Sequence, residues 1–400
     1  MTTLNPNALA SVKRRDSDGG DRRLVSITAP SVDVALAEVD RLAGESWCLG
    51  LVFARSAQAL QRAGDHLGQA LAGIEIAGCT SAGILDREAN VAAEVQITLF
   101  GGSGLASAVA RASLEQGSSR AAGSAAAEAV DRLGGRYDQT VLILLVDGLV
   151  GDTNDVVRGA YETVGASVPI VGGCAGDDLA MVATHQLAGN QLGTSGVVGI
   201  ALSSSASFGI GVNHGWSPLG QPMTVTAAEG TSILTLDDRP ALDVYLEAIG
   251  GDDGNLTNSG LAVRCQTRPF GLQSRGTYHV RFVRGGDLER RSIEFLVAIP
   301  EGETVTLMQG DAESVIGAAG TAVAQALTEI EGPPLGILAF DCVACRGVIG
   351  DECVPTEVNE VTSHLADDSI LSGLYTYGEI ARRGGALGFH NQTMVVLAIS

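Results

Sequence analysis

Five polar side chains crowd into one stretch near the carboxyl end of the chain. Tyr375, Tyr377 and Glu379 alternate along an apolar segment, so in an extended backbone they share one face. His390 and Asn391 follow across a glycine-rich loop. Phenols, a carboxylate, an imidazole and an amide are the groups that hold an amino acid. Glu379 would take its ammonium through a charge-assisted hydrogen bond, and Arg346 its carboxylate by bidentate pairing. Burying so many polar groups costs free energy unless each finds a partner. Either a ligand completes the set, or the groups bond one another and lock the last strand in place.

Cysteine is the second source of chemistry. Cys342 and Cys345 form a C-x-x-C, with Cys353 close by. Zinc needs four ligands, and His364 is the only histidine nearby, so no metal site is expected. Free cysteine is commonly just buried. Cys342 nevertheless stands at the mouth of a strand, where a thiol can be reactive. A third candidate is the turn Gly172-Gly173-Cys174-Ala175-Gly176-Asp177-Asp178. Its backbone N–H groups, Cys174 and the Asp177 carboxylate could meet a ligand, or its glycines could simply serve a tight turn. His214, beside Trp216, is the axial-ligand candidate if haem binds. Against haem stand the missing C-x-x-C-H motif and an aromatic content of 4%. The nucleophile elbow, the phosphate loop and the dinucleotide fingerprint are all absent, which disfavours the enzyme reading.

These residues sit at the ends of a repeated β-α-β plan. Residues 141–146 read as a buried strand, and Asp152 or Thr153 as the cap of the next helix. Val156, Val157, Ala160 and Val164 form the helix's apolar face, and residues 169–171 start a second strand. The same unit appears at residues 48–83, where Ser56 caps the helix, and again at residues 336–379. A right-handed β-α-β unit puts its loops at the carboxyl ends of its strands, where open α/β sheets bind ligands. Each unit runs on to a further apolar strand, at residues 94–99, 196–202 and 393–399. Residues 304–327 echo residues 105–133 as a strand and helix leading into a unit. Residues 181–187 with 196–202, and 278–283 with 292–299, read as hairpins. The fold class is therefore α/β, with repeated β-α-β units in two domains and mixed sheets.

Composition narrows the function. The 400-residue chain carries a net charge of −21, and Lys13 is its only lysine. That disfavours nucleic-acid backbones and anionic membranes. Seven scattered cysteines are no disulfide framework. No apolar run approaches a membrane span and no signal-peptide core is visible, so the expected location is cytoplasmic. Residues 1–23 are polar and read as a disordered tail.

Taken in order, several pieces resemble the FIST family (F-box and intracellular signal transduction proteins). They are Gly78-Cys79-Thr80-Ser81-Ala82-Gly83, Gly172-Gly173-Cys174-Ala175-Gly176-Asp177 and His214-Gly215-Trp216-Ser217-Pro218-Leu219-Gly220. Arg239-Pro240-Ala241 follows, leading to Tyr245, then Cys342 with Arg346 and Gly350-Asp351. Tyr375-Thr376-Tyr377-Gly378-Glu379-Ile380 and Phe389-His390-Asn391-Gln392-Thr393 close the series. The resemblance implies a FIST N-like domain over residues 24–235 and a FIST C-like domain over residues 236–400. It implies a bacterial sensory module that binds small ligands such as amino acids. Its partner would be a separate histidine kinase, chemoreceptor or cyclic-nucleotide signalling protein. Some members resemble haem-based nitric-oxide sensors, which is the alternative to a cofactor-free site.

Overall fold

The computed structural model describes residues 9–251, 257, 261, 264–274, 277–382 and 388–400. The expected α/β architecture is present, and the repeat goes deeper than three β-α-β units. Trp47–Ala54 pairs in parallel with Glu75–Thr80, Gln139–Val146 with Ile170–Cys174, and Gly336–Cys342 with Ile370–Thr376. Each pair is the centre of its own mixed sheet. Next to its first strand lies the strand that closes the same module: Val95–Gly101, Gly196–Ser204 or Met394–Ile399. Outside that lies the strand that opens the module: Arg23–Ala29, Leu105–Ser113 or Phe208–Asn213.

The fifth position in each sheet is exchanged. The segment after each turn leaves its own sheet and joins another. Ile84–Asp86 of the first module pairs with Ile370–Thr376 of the third. Gln186–Ala188 of the second pairs with Glu75–Thr80 of the first. Glu379–Arg382 of the third pairs with Ile170–Cys174 of the second. Strands from both sides of residue 236 thus share these two sheets, and a further sheet also mixes them, pairing Met223–Glu229 with Thr304–Gln309 and Ser232–Leu236 with Ser292–Phe295.

Strand alternation builds the core. Leu49, Leu51 and Phe53, Val141, Ile143 and Leu145, and Leu338 and Phe340 meet in one buried cluster between the three sheets. Their neighbours of opposite parity pack under outer helices, as Leu142 and Leu144 do beside Val156 and Ala160. Ser56 and Asp152 cap their helices by accepting from backbone amides. Burying a leucine or valine side chain in this way contributes about 1.5–3 kcal/mol.

Several expectations are corrected. Residues 11–16 lie within the stretch read as a disordered tail, but Ser11–Asp16 is an edge strand on Arg23–Ala29. A backbone ladder and ion pairs order it in place of apolar burial: Lys13 to Glu88 at 2.9 Å and Arg14 to Glu45 at 2.8 Å. Residues 1–8 lie outside the described residues, as do residues 252–256 and 258–260 of the expected polar loop. Thr304–Gln309 is not the opening strand of the third module; Phe208–Asn213 is. Gly209 and Gly211 let that strand approach the helix Ala312–Leu327, where an added Cβ would come within 2 Å of the Ala326 and Ala322 carbonyls. Thr304–Gln309 belongs instead to a fourth sheet, built from strands between Ser217 and Gln309 and inserted into the third module. Gln186–Ala188 forms its hairpin with Gln191–Gly193, because Gly196–Ser204 is claimed by the second sheet. Ser292–Phe295 pairs with Val283–Asp287, while Thr277–Arg281 turns away to pair with Phe270–Ser274.

Candidate functional site

The turns that follow the three β-α-β units meet and hydrogen-bond in a cycle. The Gly176 amide donates to the Thr80 carbonyl at 3.0 Å, and the Ala82 amide to the Tyr375 carbonyl at 3.0 Å. The Tyr377 amide donates to the Cys174 carbonyl at 3.1 Å. Glycine is needed for this approach. An added Cβ on Gly176 would sit 2.7 Å from the Ala82 nitrogen, and one on Gly148 2.1 Å from the Ala175 carbonyl oxygen.

Two clefts open near this junction. One, of about 400 Å³, lies at the carboxyl ends of Gln139–Val146 and Ile170–Cys174. Gly148, Asp152, Thr153, Cys174 and Tyr377 line it from the modules; Arg284 and residues 295–298 line it from the inserted unit. Buried Asp147 shapes its loop by accepting from the amides of Leu149 (2.8 Å), Val150 (3.0 Å) and Ser195 (2.9 Å). Thr153 Oγ1 lies 3.6 Å from the Cys174 sulfur, whose thiol burial pushes up to about 12. The second cleft, of about 780 Å³, runs between His214–Ser217 and the helix Ala312–Leu327, with Arg268 and Gln309 on its rim.

Behind the junction lies a sealed polar cluster. The Tyr375 hydroxyl donates to Glu357 Oε2 at 2.7 Å, and the Asp341 and Glu357 carboxyls face each other. Glu379 accepts from the Thr376 hydroxyl at 2.7 Å and from the Thr393 amide at 3.2 Å. Burial pushes Asp341, Glu357 and Glu379 above the usual carboxylate range. Cys342 is the exception among its neighbours. The Cys345 thiol donates to its sulfur, against the cost of burial, and brings it down to about 7.

Two family models cover most of the chain, the FIST N domain over residues 48–239 and the FIST C domain over residues 241–382. The chain belongs to the FIST family. FIST domains are signal-transduction sensor modules. An uncharacterized protein of Mycobacterium tuberculosis (strain ATCC 25618 / H37Rv) is 29% identical over 205 residues, 50% of this chain and 52% of that protein. The chain therefore spans about half the length of that relative. An uncharacterized protein of Mycobacterium bovis (strain ATCC BAA-935 / AF2122/97) is 25% identical over 374 residues, 91% of this chain and 93% of that one. Among solved structures, a chorismatase matches 98% of this chain and 99% of its own with 10% identity and a TM-score of 0.35. A cyanuric acid hydrolase matches the same shares with 11% identity and a TM-score of 0.34.

The residues that carry the FIST resemblance separate into three groups. Cys174 and Tyr377 line the smaller cleft. Tyr375, Glu379 and Asn391 are buried in the polar cluster behind it. Both amide atoms of Asn391 lack a hydrogen-bond partner there. His390 donates from Nε2 to the Ala381 carbonyl at 3.1 Å, and burial takes its imidazole down to about 3. Arg346 and Asp177 are engaged elsewhere. Arg346 donates to Asp351 and to the Ala82 carbonyl and lies over the Tyr375 ring, so its guanidinium is taken up within the fold. Asp177 accepts from the amides of Met181, Val182 and Ala183 and from the Tyr377 hydroxyl, which fixes its loop.

Haem does not fit His214. Its Nε2 donates to the Tyr278 carbonyl at 3.0 Å and its Nδ1 accepts from the Trp216 amide at 3.3 Å, so both ring nitrogens are occupied. The cleft beside it is lined by polar Asn213, Gln309, Asp311 and Ser314 together with Trp216 and Ala318. No helix among the described residues is long and apolar enough to cross a membrane.

Sequence reasoning missed Arg284, Asp341 and Glu357. Arg284 reaches its place only through the insertion, which no local pattern reveals. Glu357 did leave a signal. It lies on the buried helix face of Val354, Val358 and Val361, where an acid has to find a partner.

Proposed function

We propose that this chain is a cytoplasmic sensor that binds a small, amino-acid-like ligand in the cleft between the second module and the inserted unit. It then acts on a separate histidine kinase, chemoreceptor or cyclic-nucleotide signalling protein. The observation that carries this reading is the pairing of opposite charges across the cleft. Asp152, whose Oδ1 caps the following helix, stands on the module side and Arg284 on the inserted unit, and Thr153, Cys174 and Tyr377 belong to the same lining. A ligand's ammonium and carboxylate match that pair, and Phe295 and Val297 offer apolar surface to its side chain. The volume suits a small metabolite.

A ligand held by both walls favours one placement of the inserted unit over others, which is what a sensor transmits. Met181 and Leu296 are exposed at the cleft, and Leu179 and Val182 are exposed in the same loop as Met181. This apolar rim is where a partner would read the change.

The test is a thermal-shift screen of the full chain with amino acids and related small acids. A ligand that binds only the folded state raises the melting temperature. Arg284→Ala should abolish the shift and leave the free protein's melting temperature unchanged, because Arg284 is exposed and its ion pair with Glu294 is 3.5 Å long. The bound ligand should be recovered unaltered after long incubation; turnover would make the chain an enzyme. A hit insensitive to both Arg284→Ala and Asp152→Asn would reject this cleft.

A further inference from the structure

The larger cleft, of about 780 Å³, stands at the root of the inserted unit. The chain enters that unit at Ser217 and leaves it at Gln309, and both residues belong to the cleft's lining. The helix Ala312–Leu327 contributes only small side chains to it, from Ser314, Gly317, Ala318 and Thr321. An added Cβ on Gly317 would meet nothing within 4 Å, so this wall is open. Arg268 is the cation of the lining. Its carbonyl accepts from the buried Tyr245 hydroxyl at 2.8 Å, and its Nη1 donates to the Thr267 carbonyl at 2.7 Å, which fixes the arm. Among the described residues no carboxylate pairs with its guanidinium. The side-chain amide of Gln309 and the Nδ2 of Asn213 also lack a partner among the described residues. Asp311, the acid of the lining, is engaged by the helix, because its Oδ1 accepts from the Ser314 amide at 2.9 Å. A void of about 10 Å³ shares Asn213, His214 and Gly215 with the cleft and is lined by Gln392 as well. The Gln392 side chain is fully buried, and its Oε1 has no hydrogen-bond partner. A buried acceptor in that state calls for a donor that the fold does not supply.

We propose that this cleft is a second ligand site and takes a small hydroxylated anion, a sugar acid or a sugar phosphate. Arg268 receives the carboxylate or phosphate, because a guanidinium offers two parallel N–H groups to either. The hydroxyls meet the amides of Asn213 and Gln309, since a hydroxyl both donates and accepts. One of them, or a single water held beneath the ligand, supplies the donor that Gln392 lacks. The set of free groups selects this class. An amino acid needs a carboxylate for its ammonium, and Asp311 is committed to the helix. An apolar ligand would strip water from Arg268 and both amides and give nothing back. The volume falls in the range of small-molecule sites. The two clefts share no lining residue, so this site stands or falls independently of the amino-acid-like ligand.

Trp47 and Trp216 are the two tryptophans of the chain, and Trp216 lies in the lining of this cleft. Trp47→Phe therefore leaves a single reporter at the site. The full chain with this change is titrated with glucuronate, glucose 6-phosphate and glucose, and tryptophan emission is followed. We expect a saturable change with at least one of the two anions, and binding of uncharged glucose weaker by at least about tenfold. Arg268→Ala should weaken the anion by at least about tenfold, the loss of one charge-assisted contact. A response to glucuronate alone identifies a carboxylate site, and a response to glucose 6-phosphate alone a phosphate site. Should either variant fail to fold, thermal shifts of the wild-type chain with the same three compounds give the decision, since glucose is the control for charge. The proposal is overturned if neither anion alters emission or melting temperature, if glucose matches them, or if the response survives Arg268→Ala.

Discussion

The Asp341 and Glu357 carboxyls face each other in the core of the third module, and neither Asp341 Oδ2 nor Glu357 Oε1 has any other hydrogen-bond partner. One shared proton satisfies both oxygens, while the Tyr375 hydroxyl satisfies Glu357 Oε2. Burial raises both carboxyls, so the folded state holds protons that the unfolded chain releases. That stabilisation is present at and below the ordinary carboxylate range and is lost as pH rises above about 4.5.

Glu357→Gln should therefore flatten the alkaline side of the stability profile. The amide oxygen keeps the Tyr375 contact, and the amide nitrogen gives Asp341 a donor without a proton to lose. Urea unfolding at about pH 5, 7 and 9 should show the variant gaining on wild type as pH rises, by about 1–3 kcal/mol at the highest value. A constant deficit at every pH would mean that no proton is shared.

The acid side depends on histidine. His390 is held down at about 3 by burial, and burial lowers His214 as well. The unfolded chain takes up a proton at about pH 6.5 that folded His390 refuses, so stability is full above that pH and falls as pH drops towards 3. His390→Gln retains a donor for the Ala381 carbonyl and cannot be protonated. Acid unfolding followed by circular dichroism should shift to lower pH in this variant. An unchanged midpoint would put the acid sensitivity elsewhere.

The glycine turns make a sharper contrast. Gly176→Ala would push a methyl group against the Ala82 backbone, where the first and second modules meet. It should cost about 1–3 kcal/mol, as overpacking does. Gly317→Ala is the control, because it lies in the helix Ala312–Leu327 and its Cβ would meet nothing within 4 Å. That change should stabilise by up to about 1 kcal/mol through helix propensity. Thermal melts of the two variants should move in opposite directions.

What the sequence disclosed follows from which forces act locally. Val141 to Val146 and Ile337 to Phe340 announce buried strands by composition, and Ser56 and Asp152 announce helix starts by their capping oxygens. The exchange of Ile84–Asp86, Gln186–Ala188 and Glu379–Arg382 between sheets leaves no local trace, because each short strand is chosen by a partner far along the chain. The same reason hid Phe208–Asn213 as the start of the third module, since its helix follows only after the insertion. Tyr375, Glu379 and Asn391 were legible as a polar cluster. Sequence alone did not separate a cleft from a sealed core. That distinction rests on the convergence of three turns and on the inserted unit that brings Arg284 opposite Asp152.

The edge strand Ser11–Asp16 provides the last test. It has no counterpart in the second and third modules, so the modular plan is complete without it. Its side chains are largely exposed, and its ion pairs Lys13 to Glu88 and Arg14 to Glu45 are each worth at most about 1 kcal/mol. Its larger effect is to cover Arg23–Ala29, a buried strand whose outer N–H and C=O groups would otherwise face water. A chain beginning at residue 18 should therefore fold with its far-ultraviolet circular dichroism almost unchanged. Its melting temperature should drop by about 1–2 °C, as a loss of about 1–2 kcal/mol implies for a protein of this size. The uncovered edge should also promote pairing between copies, visible as a concentration-dependent shift in size-exclusion chromatography. A truncated chain with unaltered melting temperature and unaltered elution would show that residues 11–16 do not stay on the sheet in solution.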